Sequence, residues 1–205
     1  MIYLLFTPNQ AYQSRSQEKS SIIRAAHMNS LLKIAKIIDT LIDWVGRSVS
    51  WLAVLTVLIA FLVVVMRDLF EFGRIWIQEL YVWMHALVFM LGAAWTLKAE
   101  GHVRVDIIYR KLSPRRRCWV DLLGVLLLLI PTCLLILWVS FPYVQSSIQL
   151  LEGSRETGGL PGVFLLKSII PVTAALLLLQ GVSMVIHNAA RLNGIEAMPA
   201  SEGIL

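Results

Sequence analysis

Charge is what this sequence has least of. Only 15% of its 205 residues are Asp, Glu, Lys or Arg, while 58% are hydrophobic and the mean hydropathy is +0.73. A soluble domain carries about 25% charged residues, so a water-soluble fold is excluded. There are two cysteines, Cys118 and Cys133, too few and too apolar in setting for a disulfide framework or a thiolate metal centre. A nucleophile elbow, a phosphate loop, HExxH and CxxC are all missing, which removes the common footholds for hydrolase, nucleotide and redox chemistry. The net charge is +5, yet the basic residues flank apolar runs instead of alternating with aromatics on a polar domain. Nucleic acid is therefore not the expected partner; membrane lipid is.

What the sequence does have is four long apolar runs, at about 48–66, 76–97, 119–141 and 163–187. The run 76–97 rises about 33 Å as a helix, enough for a hydrocarbon core of about 30 Å. The fold class that follows is an all-α integral membrane protein, four transmembrane helices in an antiparallel bundle. The short 67–75 connection makes the first two spans antiparallel neighbours. Pro131 and Pro171 read as tolerated kinks within spans.

Upstream, Lys33, Lys36, Thr40, Asp43 and Arg47 recur three and four residues apart, with Leu31, Leu32, Ile34, Ile37, Ile38, Leu41, Ile42 and Val45 around them. This pattern predicts an amphipathic helix over 29–47, lying in the membrane interface. The alternative is an extension of the first span. Residues 1–28 are expected to be a disordered cytoplasmic tail, with Met28 as a second possible start, and 188–205 a second tail.

Orientation follows from the basic residues. Six Lys/Arg precede the first span, seven (Lys98, Arg104, Arg110, Lys111, Arg115, Arg116, Arg117) lie between the second and third, and Arg191 follows the fourth. Arg67, Arg74, Arg155 and Lys167 are left for the other side. Short basic loops stay in the cytoplasm, so both termini are expected there, in a bacterial inner membrane.

Polar groups inside spans cost about 2.5–3.5 kcal/mol when charged at a helix centre, so each needs an account. Glu79 and Lys167 lie at similar depth and are expected to form an interhelical ion pair; the competing reading makes Glu79 an ion-coupling carboxylate. His85 sits near the middle of its span. Bis-histidine haem ligation needs a second histidine at that depth, and His27, His102 and His187 are not there, so the expectation is a hydrogen bond across helices and no cofactor. Asp121 is expected to pair with the run Arg115 to Arg117 or to favour its helix N-terminus, and Gln180 to hydrogen-bond between helices.

The landmarks Trp76, Glu79-Leu80 and Gly92-Ala93-Ala94, the segment Gly101-His102-Val103-Arg104-Val105-Asp106, then Gly159-Leu160-Pro161, Lys167, Pro171 and Gln180-Gly181 resemble the DctQ-like small membrane subunit of tripartite ATP-independent periplasmic (TRAP) transporters. The similarity covers about residues 30–192. It departs at Gln78, where many relatives carry a second acidic residue before Glu79.

The resemblance implies a non-catalytic scaffold that braces a large multi-span permease. It also implies a periplasmic binding protein as partner, and uptake of organic acids with a sodium gradient. On that basis Glu152, Arg155, Glu156 and Pro161 are expected to help dock the binding protein. His102, Arg104 and Asp106 belong to a family-like cytoplasmic loop, expected either to contact permease or headgroups or to be simply a solvated, positive-inside loop. Rival readings are a haem- or quinone-binding anchor of a redox enzyme, and an autonomous small transporter using Glu79.

Overall fold

A stripe of small and branched residues at helical spacing shapes the first element. In a computed structural model, which describes residues 8–99 and 112–196 with side chains from 27 onward, helix α1 runs unbroken from Pro8 to Phe70. Pro8 opens it at a position where its missing N–H costs nothing. Residues 8–28, expected as a disordered tail, are helical; Gln, Glu, Lys, Arg and Ala there favour a helix and no glycine interrupts them. Nor does the chain break at 47/48. Ala35, Ile38, Ile42, Gly46 and Val49 form one buried stripe, so the amphipathic segment continues α1 as an extension of the first span.

A left-handed residue, Glu71 (φ 49), follows α1, and four residues later α2 begins, Ile75–Lys98. The two helices pack closely: Val49 meets Gly92, Gly46 meets Trp95, and Lys98 reaches Asp43. Ile38, Ile42 and Ala94 make a small core with Leu176 and Leu177 of the last helix. A Cβ on Gly46 would lie 2.5 Å from the Trp95 ring, so the absence of a side chain there sets the helix separation.

The third apolar run is a continuous helical stretch, Pro114–Gln149. It comprises α3 (Pro114–Gly124), a π-helical turn (Val125–Leu129) and α4 (Ile130–Gln149). Pro131 explains the π turn: its ring crowds the carbonyl four residues back and it donates no hydrogen bond, and the turn widens so that Ile130 N–H reaches Val125 O. The stretch outruns the expected end at Phe141, passing through Pro142 to Gln149. It ends in a Schellman turn, with Leu151 left-handed (φ 44) and the amides of Leu151 and Glu152 on the carbonyls of Ile148 and Ser147.

The last helix, α5 (Val163–Leu192), is the hub. It packs on α1, α2, α3, the π turn and α4. One third of its most apolar window is buried, against 11% for each other span. Its end is also a Schellman turn, Gly194 (φ 72) with Ile195 N–H on Ala190 O. Residues 188–192, expected in a tail, belong to α5, and Asn188 and Ala190 are buried. All described secondary structure is helical, with four helices long and apolar enough to cross a membrane.

Gly46→Leu should force α1 and α2 apart and lower unfolding free energy in mixed micelles by about 1–3 kcal/mol. Gly124→Leu, where a Cβ meets nothing within 4 Å, should leave it near wild type.

Candidate functional site

The polar side chains gather at the two ends of α5. At the hairpin end, the 150–162 loop folds back over α2. Ser154 N–H bonds Leu160 O, Gly159 N–H bonds Glu156 O, and Glu156 N–H bonds Ser154 Oγ. Glu79, one turn into α2, closes this loop by accepting from Ser154 Oγ and, at 2.6 Å, from Leu160 N–H. Gly159 makes that approach possible, since a Cβ there would sit 2.8 Å from Glu79 Oε1 and closer still to Ser154. The Gly-Leu-Pro landmark therefore has a local cause: room for a carboxylate, an amide for it, and an exposed Pro161 leading into α5.

Lys167 does not pair with Glu79. It takes Glu152 as its partner and lies 4.3 Å from the centroid of the Tyr143 ring. Ser147 Oγ donates to the same Glu152 oxygen at 2.6 Å. Both Glu79 and Lys167 contact the 150–162 loop, but it is the loop carboxylate of Glu152 that reaches Lys167. The Lys167 hydrogen bond, then that of Ser147, holds the Glu152 carboxyl below the ordinary glutamate range. Of the four residues expected at a docking surface, Arg155, Glu156 and Pro161 are exposed, whereas Glu152 is half-buried and turned inward.

At the basic end, Asp39 of α1 is the focus. Ser183 Oγ donates to its Oδ1 at 2.7 Å, and His187 Nε2 lies 3.1 Å from its Oδ2. His187 Nδ1 lies 2.9 Å from Glu196. Lys98 Nζ donates to Asp39 O at 2.8 Å and pairs with Asp43 at 2.6 Å. These contacts join α1, α2 and α5. Sequence reasoning passed over Asp39, although it interrupts the apolar side of α1 between Ile38 and Ile42; that misplaced charge was the available signal.

The remaining polar residues stand as follows in the bundle. Asp121 is half-buried and lines a cleft with Gln180, Asn188 and Arg191. Gln180 is 3% exposed, yet its Oε1 has no hydrogen-bond partner among the described residues, contrary to the expected interhelical bond. His85 is exposed on a stripe with Val82 and Phe89 and makes no cross-helix hydrogen bond among the described residues. His102, Arg104 and Asp106 lie outside them. No group of three or more potential metal ligands occurs among the described residues.

The family model described as the DctQ component of tripartite ATP-independent periplasmic transporters matches residues 37–191. The chain belongs to the DctQ family. The match spans α1 from Ile37 through Arg191 of α5, so it takes in both polar ends of the DctQ bundle. The family is a transporter component, not an enzyme family, and works with a large permease and a binding protein. With its four apolar helices, this DctQ chain is a multi-pass membrane protein. Searches of curated proteins and of solved structures return no match.

Glu79→Ala leaves a half-buried amide and a hydroxyl without their acceptor, at a cost of about 1 kcal/mol. Limited proteolysis should then cut the 150–162 loop faster. Acid should loosen the same loop by a separate route. Because the Glu152 value is lowered on folding, its contribution is complete above the ordinary glutamate value of 4.5 and is lost as pH falls from there through the folded value. Glu152→Gln should abolish that acid-dependent part of the cleavage rate.

Proposed function

We propose that this chain is the scaffold subunit of a TRAP-type secondary transporter, bracing a large permease that carries organic acids inward with a sodium gradient. The observation that carries the reading is the outward face of the bundle. Apolar side chains such as Trp51, Phe61, Phe89 and Trp138 are at least two-thirds exposed, and His85 stands among them near mid-span. Aliphatic and aromatic side chains are at home in lipid, but a lipid-facing imidazole is unfavourable unless another helix covers it. A permease helix packed on the Val82–His85–Phe89 stripe supplies that cover.

The pairings of Val49 with Gly92, Gly46 with Trp95 and Asp43 with Lys98 support an antiparallel bundle. The charge distribution supports cytoplasmic termini in a bacterial inner membrane. In that orientation the 150–162 loop faces the periplasm, and its exposed Arg155, Glu156 and Pro161 are the side available to a binding protein. Glu152 holds the loop in shape from beneath. The amphipathic 29–47 segment then lies at the cytoplasmic interface as the base of α1. An outward-facing His85 gives the haem-anchor reading no support.

In membranes that carry the assembled transporter, a photo-crosslinking residue at position 85 should link to the permease, and one at Val182 serves as comparison on α5. His85→Leu should keep assembly, because it remains an apolar surface, while His85→Glu should reduce co-purified permease at least tenfold. Crosslinks to lipid alone from position 85 argue against the interface.

A further inference from the structure

Between α1, α2, α3 and α5, at the basic end, lies a partly open cleft of about 250 Å³. Asp39, Lys98, Asp121, His187, Asn188 and Arg191 line it together with Leu97 and Met184, and Gln180 lies at its far end. Two of these side chains are nearly inaccessible, Gln180 and Asn188 at 3% each. Both carry a carbonyl oxygen without a hydrogen-bond partner among the described residues, and the Arg191 Nε–H beside them likewise has no hydrogen bond there, Glu196 lying 3.9 Å away.

The free hydrogen-bonding capacity in this cleft is thus of both signs, two acceptors and one donor, and it is spread along the helix. Gln180 and Arg191 are eleven residues apart, about 16 Å of α5. The two acceptors, on Gln180 and Asn188, are eight residues apart, about 12 Å of helix, and no single metal ion serves both together with a cationic donor. A chain of small molecules that both donate and accept does. Buried amide carbonyls left unpaired cost about 1–3 kcal/mol each, and a water needs only roughly 10–15 Å³ of such space with two to four polar neighbours.

We propose that this cleft is an aqueous crevice, holding a file of ordered waters from Arg191 inward to Gln180 Oε1. Water enters about 16 Å along the central helix at one end, while at the opposite end the 150–162 loop folds over Glu79. Asp39 and His187 then sit at the wall of a hydrated channel, and the seam of α5 against α3 at this end is solvated, unlike the dry contact of Gly181 with Val125 and Leu129 just beyond it.

That the crevice opens to the cytoplasm rests on the orientation given above, and the test separates the two claims. In the full transporter, with Cys118 and Cys133 replaced by Ala, Met184→Cys and Val182→Cys are reacted with a membrane-impermeant cationic methanethiosulfonate from either face. Met184 lines the crevice and Val182 is on the exposed side of α5. Asn188→Cys replaces Met184→Cys if the latter does not assemble.

Reaction of Met184→Cys at least tenfold faster than Val182→Cys, from the cytoplasmic face, supports both claims. The same ratio from the outer face supports the crevice and overturns the orientation. Equal rates overturn the crevice. Protection in the assembled transporter, relieved when the permease is removed, overturns it too and makes the cleft a socket for that partner.

Discussion

A carboxylate placed among hydrocarbon has to be satisfied by partners the protein itself supplies, because lipid supplies none. Four carboxylates at the two ends of the bundle are satisfied by protein partners, and these contacts join the helices. Glu79 ties α2 to the loop that leads into α5, and Glu152 ties that loop to α5 through Lys167. Asp39 ties α1 to α5 through Ser183 and His187, and Asp43 ties α1 to α2 through Lys98. Apolar packing, being nearly as favourable with lipid as with another helix, does not discriminate between arrangements in this way.

The ties are at the ends of α5 and leave its middle to small and branched residues. Glycines let the helices approach closely, Gly46 against Trp95 and Gly181 against Leu129. The outer surface of the bundle remains apolar, with His85 as the exception. Helices tied to one another by polar contacts, and an apolar exterior, are what the proposed role as a brace for a partner requires. Membership of the DctQ family supplies the partner; the bundle supplies the reason it can hold one.

How much of this could be read beforehand follows from what a linear pattern encodes. Apolar run length reports the spans directly, and all four fall within helices of the structure. Depth along a helix was readable too: Glu79 and Lys167 do share an end. Azimuth was not, because loop geometry decides which carboxylate swings over a lysine, and Glu152 on the Schellman turn is nearer than a residue on another helix. The third span is expected to end at about residue 141, yet α4 passes through Pro142 and runs on for two turns to Gln149, because in an apolar helix neighbouring groups absorb the hydrogen bond a proline removes. The continuity of α1 across residue 47 was hidden for a related reason. A change from amphipathic to uniformly apolar composition marks a change of surroundings, and the backbone passes through it without a break.

The central claim is rigidity, and interspin distances measure it most directly. Spin labels at Thr40 and Arg116 report the basic end, and labels at Asp68 and Glu156 the hairpin end; all four positions are exposed. Pulsed dipolar spectra of the assembled transporter should give the same narrow distances with and without substrate-loaded binding protein and a sodium gradient. A shift of several ångströms at either end on adding substrate and sodium would mean that this subunit moves with the permease, and the account of it as a static brace would be wrong.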